Sequence, residues 1–133
     1  MDRGLYDWMT ANNVATFKVF TTTDPTGLKR GWRSLYDVKI DAVIFFDGSI
    51  FVAFLNDDVQ IRPMEVLGME VKQHRMNQLQ SWLDSVAGIK LVGYGSTKFD
   101  GPVLLREHHL DIKHQDVLNI VGEATEVHYG DFP

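Results

Sequence analysis

The sequence contains no cysteine, and this absence excludes several classes of chemistry at once. Such a chain forms no disulfide, has no thiolate nucleophile and offers no cysteine ligand to zinc. This fits a reducing compartment, and we expect a cytoplasmic protein. Long apolar runs are also lacking, since no segment approaches the roughly 18 to 20 residues that span a bilayer. Asp2, Arg3 and Asp7 interrupt the start, where a secretory signal needs an apolar stretch. We therefore expect neither a membrane segment nor secretion by that route.

Basic charge is scarce as well. Thirteen Lys and Arg face eighteen Asp and Glu, which gives a net charge of -5. This balance does not suit a protein that wraps nucleic acid, although it allows a small footprint. The chain also lacks Gly-, Ser- or Pro-rich linkers and repeats with a period of about 20 to 50 residues. With 133 residues, 44% of them hydrophobic, the sequence predicts a single domain over residues 1–133.

The residues that are present predict several strands. Segments rich in β-branched and aromatic residues, bounded by turn signals, lie at Val14–Thr23, Val38–Phe46 and Ser49–Asn56, with a further candidate at Val59–Arg62. The pair Asp47-Gly48 between two of them is a strong hairpin signal, and Asp47 is expected to serve the turn.

Helical spacing predicts the remaining elements. It indicates a short helix around Leu5, Trp8 and Met9 that ends at Asn12 and Asn13, and another over Gln73–Val86 followed by a left-handed cap at Gly88. Ile89–Tyr94 is expected to form a buried strand, and helices are expected from Asp100 to His108 or His109 and over Val117–Ala124, with Asp100 and Asp116 as candidate N-caps. This order predicts an α/β fold with a mixed sheet, in which antiparallel hairpin strands and a parallel strand are covered by helices. Ile89–Tyr94 should lie beside Val14–Thr23 and run parallel to it.

The segment from Gly93 to Leu104, GYGSTKFDGPVL, carries a resemblance to a known family. It is similar to the second signature of the DEDD superfamily of 3'-5' exonucleases, G-Y-N-x-x-x-F-D-x-P-x-L, in the form found in family B DNA polymerases. Six of its seven named positions match, and Gly95 replaces the asparagine. The resemblance implies a ribonuclease-H-like fold, with Asp100 as the family's second-motif aspartate, a ligand of a catalytic divalent cation.

The resemblance extends to the segment from Val19 to Leu28, which aligns with the family's first motif, F-D-x-E-T-T-G-L, with a short insertion. Thr21 and Thr23 then replace the metal-binding Asp and Glu, and a hydroxyl does not supply the charge that two hard cations require. The candidates for the third motif in the tail fit its spacing poorly; they are His128, Tyr129 and Asp131. One of four catalytic carboxylates is therefore retained.

This pattern implies a catalytically degenerate exonuclease-like domain that acts as a binding module and needs no cofactor. The alternative is an active Mg- or Mn-dependent 3'-5' exonuclease with a rearranged or truncated carboxylate site. In that case Asp100 would act with Asp24, Asp116 or Asp131. Asp100 also has a plain structural interpretation, since an aspartate before Gly-Pro is a good helix cap.

The ligand of such a module is a protein partner or single-stranded nucleic acid, and the acidic charge slightly favours a protein. Nucleic acid would contact the candidate residues Lys29, Arg30, Trp32, Arg33, Tyr94 and Lys98. The basic loop among them, from Lys29 to Arg33, is more typical of a solvated surface. A metal site from His108, His109 and His114 with Asp111 and Asp116 is disfavoured, because adjacent histidines project to different sides of a helix.

Overall fold

A computed structural model describes residues 3–23, 38–97 and 100–117. Over these residues, seven strands form one mixed sheet in the order β4-β5-β3-β2-β1-β6-β7. The strands are β1 (Val14–Thr23), β2 (Val38–Phe46), β3 (Phe51–Leu55), β4 (Glu65–Val66), β5 (Met69–Arg75), β6 (Lys90–Gly93) and β7 (Gln115–Asp116). The helices are α1 (Arg3–Asn12), α2 (Leu79–Ser85), which follows a 3-10 turn at Met76–Gln78, and α3 (Asp100–His108). None of the helices in the described ranges has the length and apolar character needed to cross a membrane.

The directions of the central strands match the expectation from the sequence. β2 is antiparallel to both β1 and β3, whereas β6 is parallel to β1 and lies on its other side. β7 runs parallel to β6, and β5 runs parallel to β3. The predicted fold class, a mixed α/β sheet covered by helices, is therefore confirmed, as is the position of β6.

Alternation along the strands gives the sheet two different faces. In β1, Ala15, Phe17 and Val19 are buried, whereas Thr16, Lys18 and Phe20 are exposed. The buried series belongs to what we call the covered face, where α2, α3 and the 3-10 turn enclose the main core. There the α2 residue Trp82 packs on Phe45 and Phe54, with ring centroids 4.6 and 5.4 Å apart.

The opposite side of the sheet, which we call the open face, has a smaller core. Ala42, Ala53, Leu55 and Val71 cluster there beneath Val59 and Val66. Near the β2–β3 turn, α1 covers a second part of this face, where the Tyr6 ring meets Phe46 edge-on at 5.0 Å. A β-bulge between Phe20 and Thr21 shifts the register of β2, so that Ile40 points into the main core.

Three expectations about local structure require correction. Val59–Arg62 is not a strand; Val59 instead offers its carbonyl to the Arg75 guanidinium at 2.6 Å. The helix predicted from Gln73 begins later, because 69–75 pairs with β3 as a strand and buries Val71 in the open-face cluster. The strand predicted over Ser49–Asn56 is shorter and begins at Phe51, so that the β2–β3 connection spans four residues. In it the Asp47 carboxylate accepts the N–H groups of Ser49 and Ile50 at 2.8 and 2.9 Å. Asp47 is therefore a turn residue, as expected.

Candidate functional site

The family-like segment lies where β6 leaves the sheet. β6 pairs with β1 through Val14–Thr16 only, so that β1 continues to Thr23 without β6 beside it. The chain turns away at Gly93, where a Cβ atom would lie 2.5 Å from Ser96 Cβ and 3.0 Å from Phe17 Cε1. Glycine at this position therefore permits close packing of the turn against β1. This turn brings the start of α3 to the exposed edge of β1.

Asp100 is the first residue of α3, and its side chain is completely buried. Its Oδ2 accepts the backbone N–H of Val19 at 3.0 Å, and its Oδ1 accepts Lys18 Nζ at 3.0 Å. Because β6 has ended, the Val19 amide has no strand neighbour on that side, and the carboxylate satisfies it instead. The expectation that Asp100 caps its own helix is wrong, since both oxygens are directed to β1.

The sequence did not predict a role for Lys18. Its side chain is about half exposed and bridges to the buried carboxylate of Asp100 as an ion pair. A lysine between Phe17 and Val19 in an apolar strand is a weak signal, and its partner lies 82 positions away. Thr21, which takes the place of the family's first carboxylate, follows Val19 by two residues and therefore points to the same side of β1. It is half-buried, whereas the side chain of Thr23 lies outside the described residues.

Asp116 is the second buried carboxylate of this region. It ends β7, opposite Gly93, and accepts the N–H groups of Gly95 and Thr97 at 2.9 Å each. Asp116 thus fixes the turn that follows β6, and it is a strand residue here. The helix predicted over Val117–Ala124 lies outside the described residues beyond Val117.

Two buried polar atoms near the start of α3 have no partner among the described residues, namely Ser96 Oγ and His114 Nε2. The His114 ring packs edge-on against Phe17 at 5.2 Å, and its Nδ1 lies 2.7 Å from the Ile112 carbonyl. No group of three or more His, Asp or Glu side chains that would suit a metal ion occurs within 3–23, 38–97 and 100–117.

A groove of about 370 Å³ lies on the open face, over the junction of β1, β2 and β6. We call it the open-face groove and define it by Lys18, Phe20, Ile44, Phe51, Val92 and Tyr94. Phe20 and Tyr94 stand at its surface with 49% and 65% of their area exposed. Among the described lining residues, Lys18 carries the one formal charge, and Asp100 already pairs with it.

The predicted site residues are therefore distributed unevenly. Asp100, Asp116 and Tyr94 surround the same turn after β6, and the first two are engaged by protein donors. The other candidates lie outside the described residues; they are Asp24, Lys29, Arg30, Trp32, Arg33, Lys98 and Asp131, together with His128 and Tyr129.

The sequence matches no protein-family model, and a search of curated proteins finds no match to it.

Proposed function

We propose that this chain is a catalytically degenerate relative of the 3'-5' exonuclease domains that it resembles, and that it works as a binding module. The observation that carries the proposal is the state of Asp100. In a metal-dependent nuclease its carboxylate would face a cation, whereas here an ammonium and a backbone amide take both of its oxygens.

This arrangement opposes two-metal chemistry for a physical reason. Two divalent cations need several charged oxygen ligands to offset their mutual repulsion. At the first-motif positions the chain offers Thr21 and Thr23, which are neutral. The ammonium of Lys18, 3.0 Å from Asp100, adds a further positive charge that would repel an incoming cation.

The fold supports the proposed family relationship without identifying it. The resemblance requires a first strand flanked by an antiparallel hairpin and a parallel strand, with the aspartate opening the next helix. β1, β2, β3, β6 and Asp100 have this arrangement. An assay of nuclease activity decides the functional question.

The favoured ligand is a protein partner, because the charge of the chain is -5 and the one described cation in the open-face groove is internally paired. Single-stranded nucleic acid is a second candidate. The exposed rings of Phe20 and Tyr94 favour it, since bases stack on aromatic side chains.

The proposal is tested by incubating the purified chain with 5'-labelled single-stranded DNA and RNA in magnesium or manganese. We expect no trimming from the 3' end in either metal. The matched variants are Asp100→Ala and Lys18→Met, the second of which removes the competing ammonium. Trimming by the parent chain that disappears in Asp100→Ala would overturn the proposal and establish the active nuclease.

A further inference from the structure

The open-face groove is an apolar surface feature that the Asp100 interactions leave unexplained. Alternate residues of β1, β2 and β6 project into it, and no described residue packs over Phe20 or Tyr94 to bury them. Elsewhere the same face is closed, by Val59 and Val66 at one side and by Tyr6 at the other. Among the described residues, none closes the groove in the same way.

The charges around the groove restrict its occupant. A nucleic-acid strand requires Lys or Arg side chains that are not already neutralised, because most of its affinity for a protein comes from contacts with its phosphates. The described lining offers Lys18 alone, and the buried carboxylate of Asp100 neutralises it. The remaining described side chains are aromatic or aliphatic, apart from Thr16 and the Tyr94 hydroxyl. An uncharged, apolar ligand therefore complements this surface better than an anionic one.

The backbone that follows Tyr94 is also held in place before any ligand arrives. The turn that follows it is fixed by three hydrogen bonds, two from Gly95 and Thr97 to Asp116 and one from the Gly101 N–H to the Ser96 carbonyl at 2.8 Å. An exposed aromatic residue on a fixed turn loses little conformational freedom on binding, which is typical of interface residues that dominate affinity.

We propose that the open-face groove docks a segment of a partner protein that inserts apolar side chains between Phe20 and Tyr94. Lys18 contributes its methylene stem to the wall of the groove while its ammonium remains paired with Asp100. This inference rests on the proposed non-catalytic function and identifies the surface through which that function is exercised.

A library of displayed peptides, panned against the immobilised full chain, tests the inference directly. Selected peptides are then synthesised and titrated by fluorescence anisotropy against the parent and the variants Phe20→Ser, Tyr94→Ser and Leu105→Ser. Leu105, on α3, is 51% exposed and lies outside the groove, so that it provides a matched control. We expect peptides rich in aromatic or aliphatic residues whose affinity falls roughly tenfold or more in the first two variants and is unchanged in Leu105→Ser.

The other results overturn the inference. They include a library that yields no binders and peptides whose affinity is the same in Phe20→Ser and Tyr94→Ser as in the parent. Binding that appears only after residues 118–133 are deleted would also overturn it, because the occupant would then be the chain's own tail.

A parallel titration with oligothymidylate tests nucleic acid as the ligand. Salt-sensitive binding of this oligonucleotide that is lost in Phe20→Ser would assign the groove to nucleic acid. Thermal melts of each variant separate loss of binding from loss of folding. Nuclease activity would refute the proposed function independently of these results.

Discussion

The two faces of the sheet are built from alternate residues of the same strands, yet they differ in how far other elements bury them. On the covered face, Phe45 is almost entirely buried beneath Trp82. On the open face, Phe20 of the adjacent strand leaves 49% of its surface exposed. Both are aromatic residues in long central strands, so local sequence does not distinguish them. The difference comes from what the following helices cover.

This contrast separates stability from binding. Side chains on the covered face are enclosed on all sides and contribute mainly to folding, since close packing makes their removal costly. Exposed side chains on the open face contribute little to folding because the unfolded chain exposes them too. Exposed apolar residues that share one groove, as Phe20 and Tyr94 do, are typical of a surface that binds another molecule.

Truncation of one phenylalanine on each face gives the largest expected effect. Phe45→Ala should lower the free energy of unfolding by about 3 to 5 kcal/mol, because it leaves a cavity beneath Trp82. Phe20→Ala should lower it by less than about 1 kcal/mol, because half of the ring is already in water. Urea denaturation of both variants measures the difference. Equal losses would show that the open face is closed in solution.

The Asp100 carboxylate connects α3 to β1, and its removal has the next largest expected effect. Asp100→Ala should cost about 2 to 4 kcal/mol, because it leaves the buried Val19 N–H without an acceptor and Lys18 without its partner. Asp100→Asn keeps one oxygen for the amide and should cost less. Chemical denaturation of the two variants checks this order.

A cation at Asp100 would contradict this account. The parent chain and Asp100→Asn should each unfold at the same temperature in chelator and in magnesium, because Lys18 already neutralises the carboxylate. A rise in melting temperature with magnesium in the parent, abolished by Asp100→Asn, would mean that Asp100 binds a cation.

The sequence predicts those features that depend on neighbouring residues. β-branched and aromatic density, ended by turn residues, locates β1 and β2 over Val14–Thr23 and Val38–Phe46, which the structure confirms. The sequence also predicts a helix from Asp100 to His108 and the parallel strand before it. In these segments the spacing of apolar residues, the turn-forming residues at the ends and the rules for connecting strands all favour the same structure.

Features that depend on distant pairing are not predictable in this way. Gln73 lies in a strand because β3 offers a parallel edge, although the residues that follow have helical spacing. The Asp100 carboxylate bonds to β1 because β6 ends at Gly93, and the length of β6 is set by packing of the turn. The exposure of Phe20 likewise depends on which elements cover the sheet. Local patterns carry no information on any of these contacts.

Two glycines test how firmly α1 is held against the open face. Gly48 has φ +94°, and a Cβ atom there would lie 2.4 Å from the backbone oxygen of Tyr6 in α1. Gly68 has φ +76° but open space around it, so Gly68→Ala isolates the conformational cost, about 1 kcal/mol. Gly48→Ala should cost at least about 2 kcal/mol, because α1 must also shift. Equal losses of unfolding free energy in the two variants would show that α1 is not fixed at this turn.

The smallest expected effect is a pH dependence on the covered side of the sheet, at the end of α3. Burial lowers the pKa of His108 below its ordinary value, because the charged imidazolium is disfavoured there; Glu107 opposes this shift and His109 adds to it. The unfolded chain therefore binds the proton more readily than the folded chain. Stability should be constant above about pH 6.5 and decrease as the pH falls through the unfolded and then the folded pKa. Because His108 is only half-buried, we expect the free energy of unfolding to fall by less than about 1 kcal/mol.

Urea denaturation midpoints measured above and below this pH range check the prediction. In His108→Gln the two midpoints should become equal. The control variant is His109→Asn, in which asparagine suits the left-handed backbone at that position, and it should retain most of the pH dependence. A dependence that persists unchanged in His108→Gln would assign it to another group.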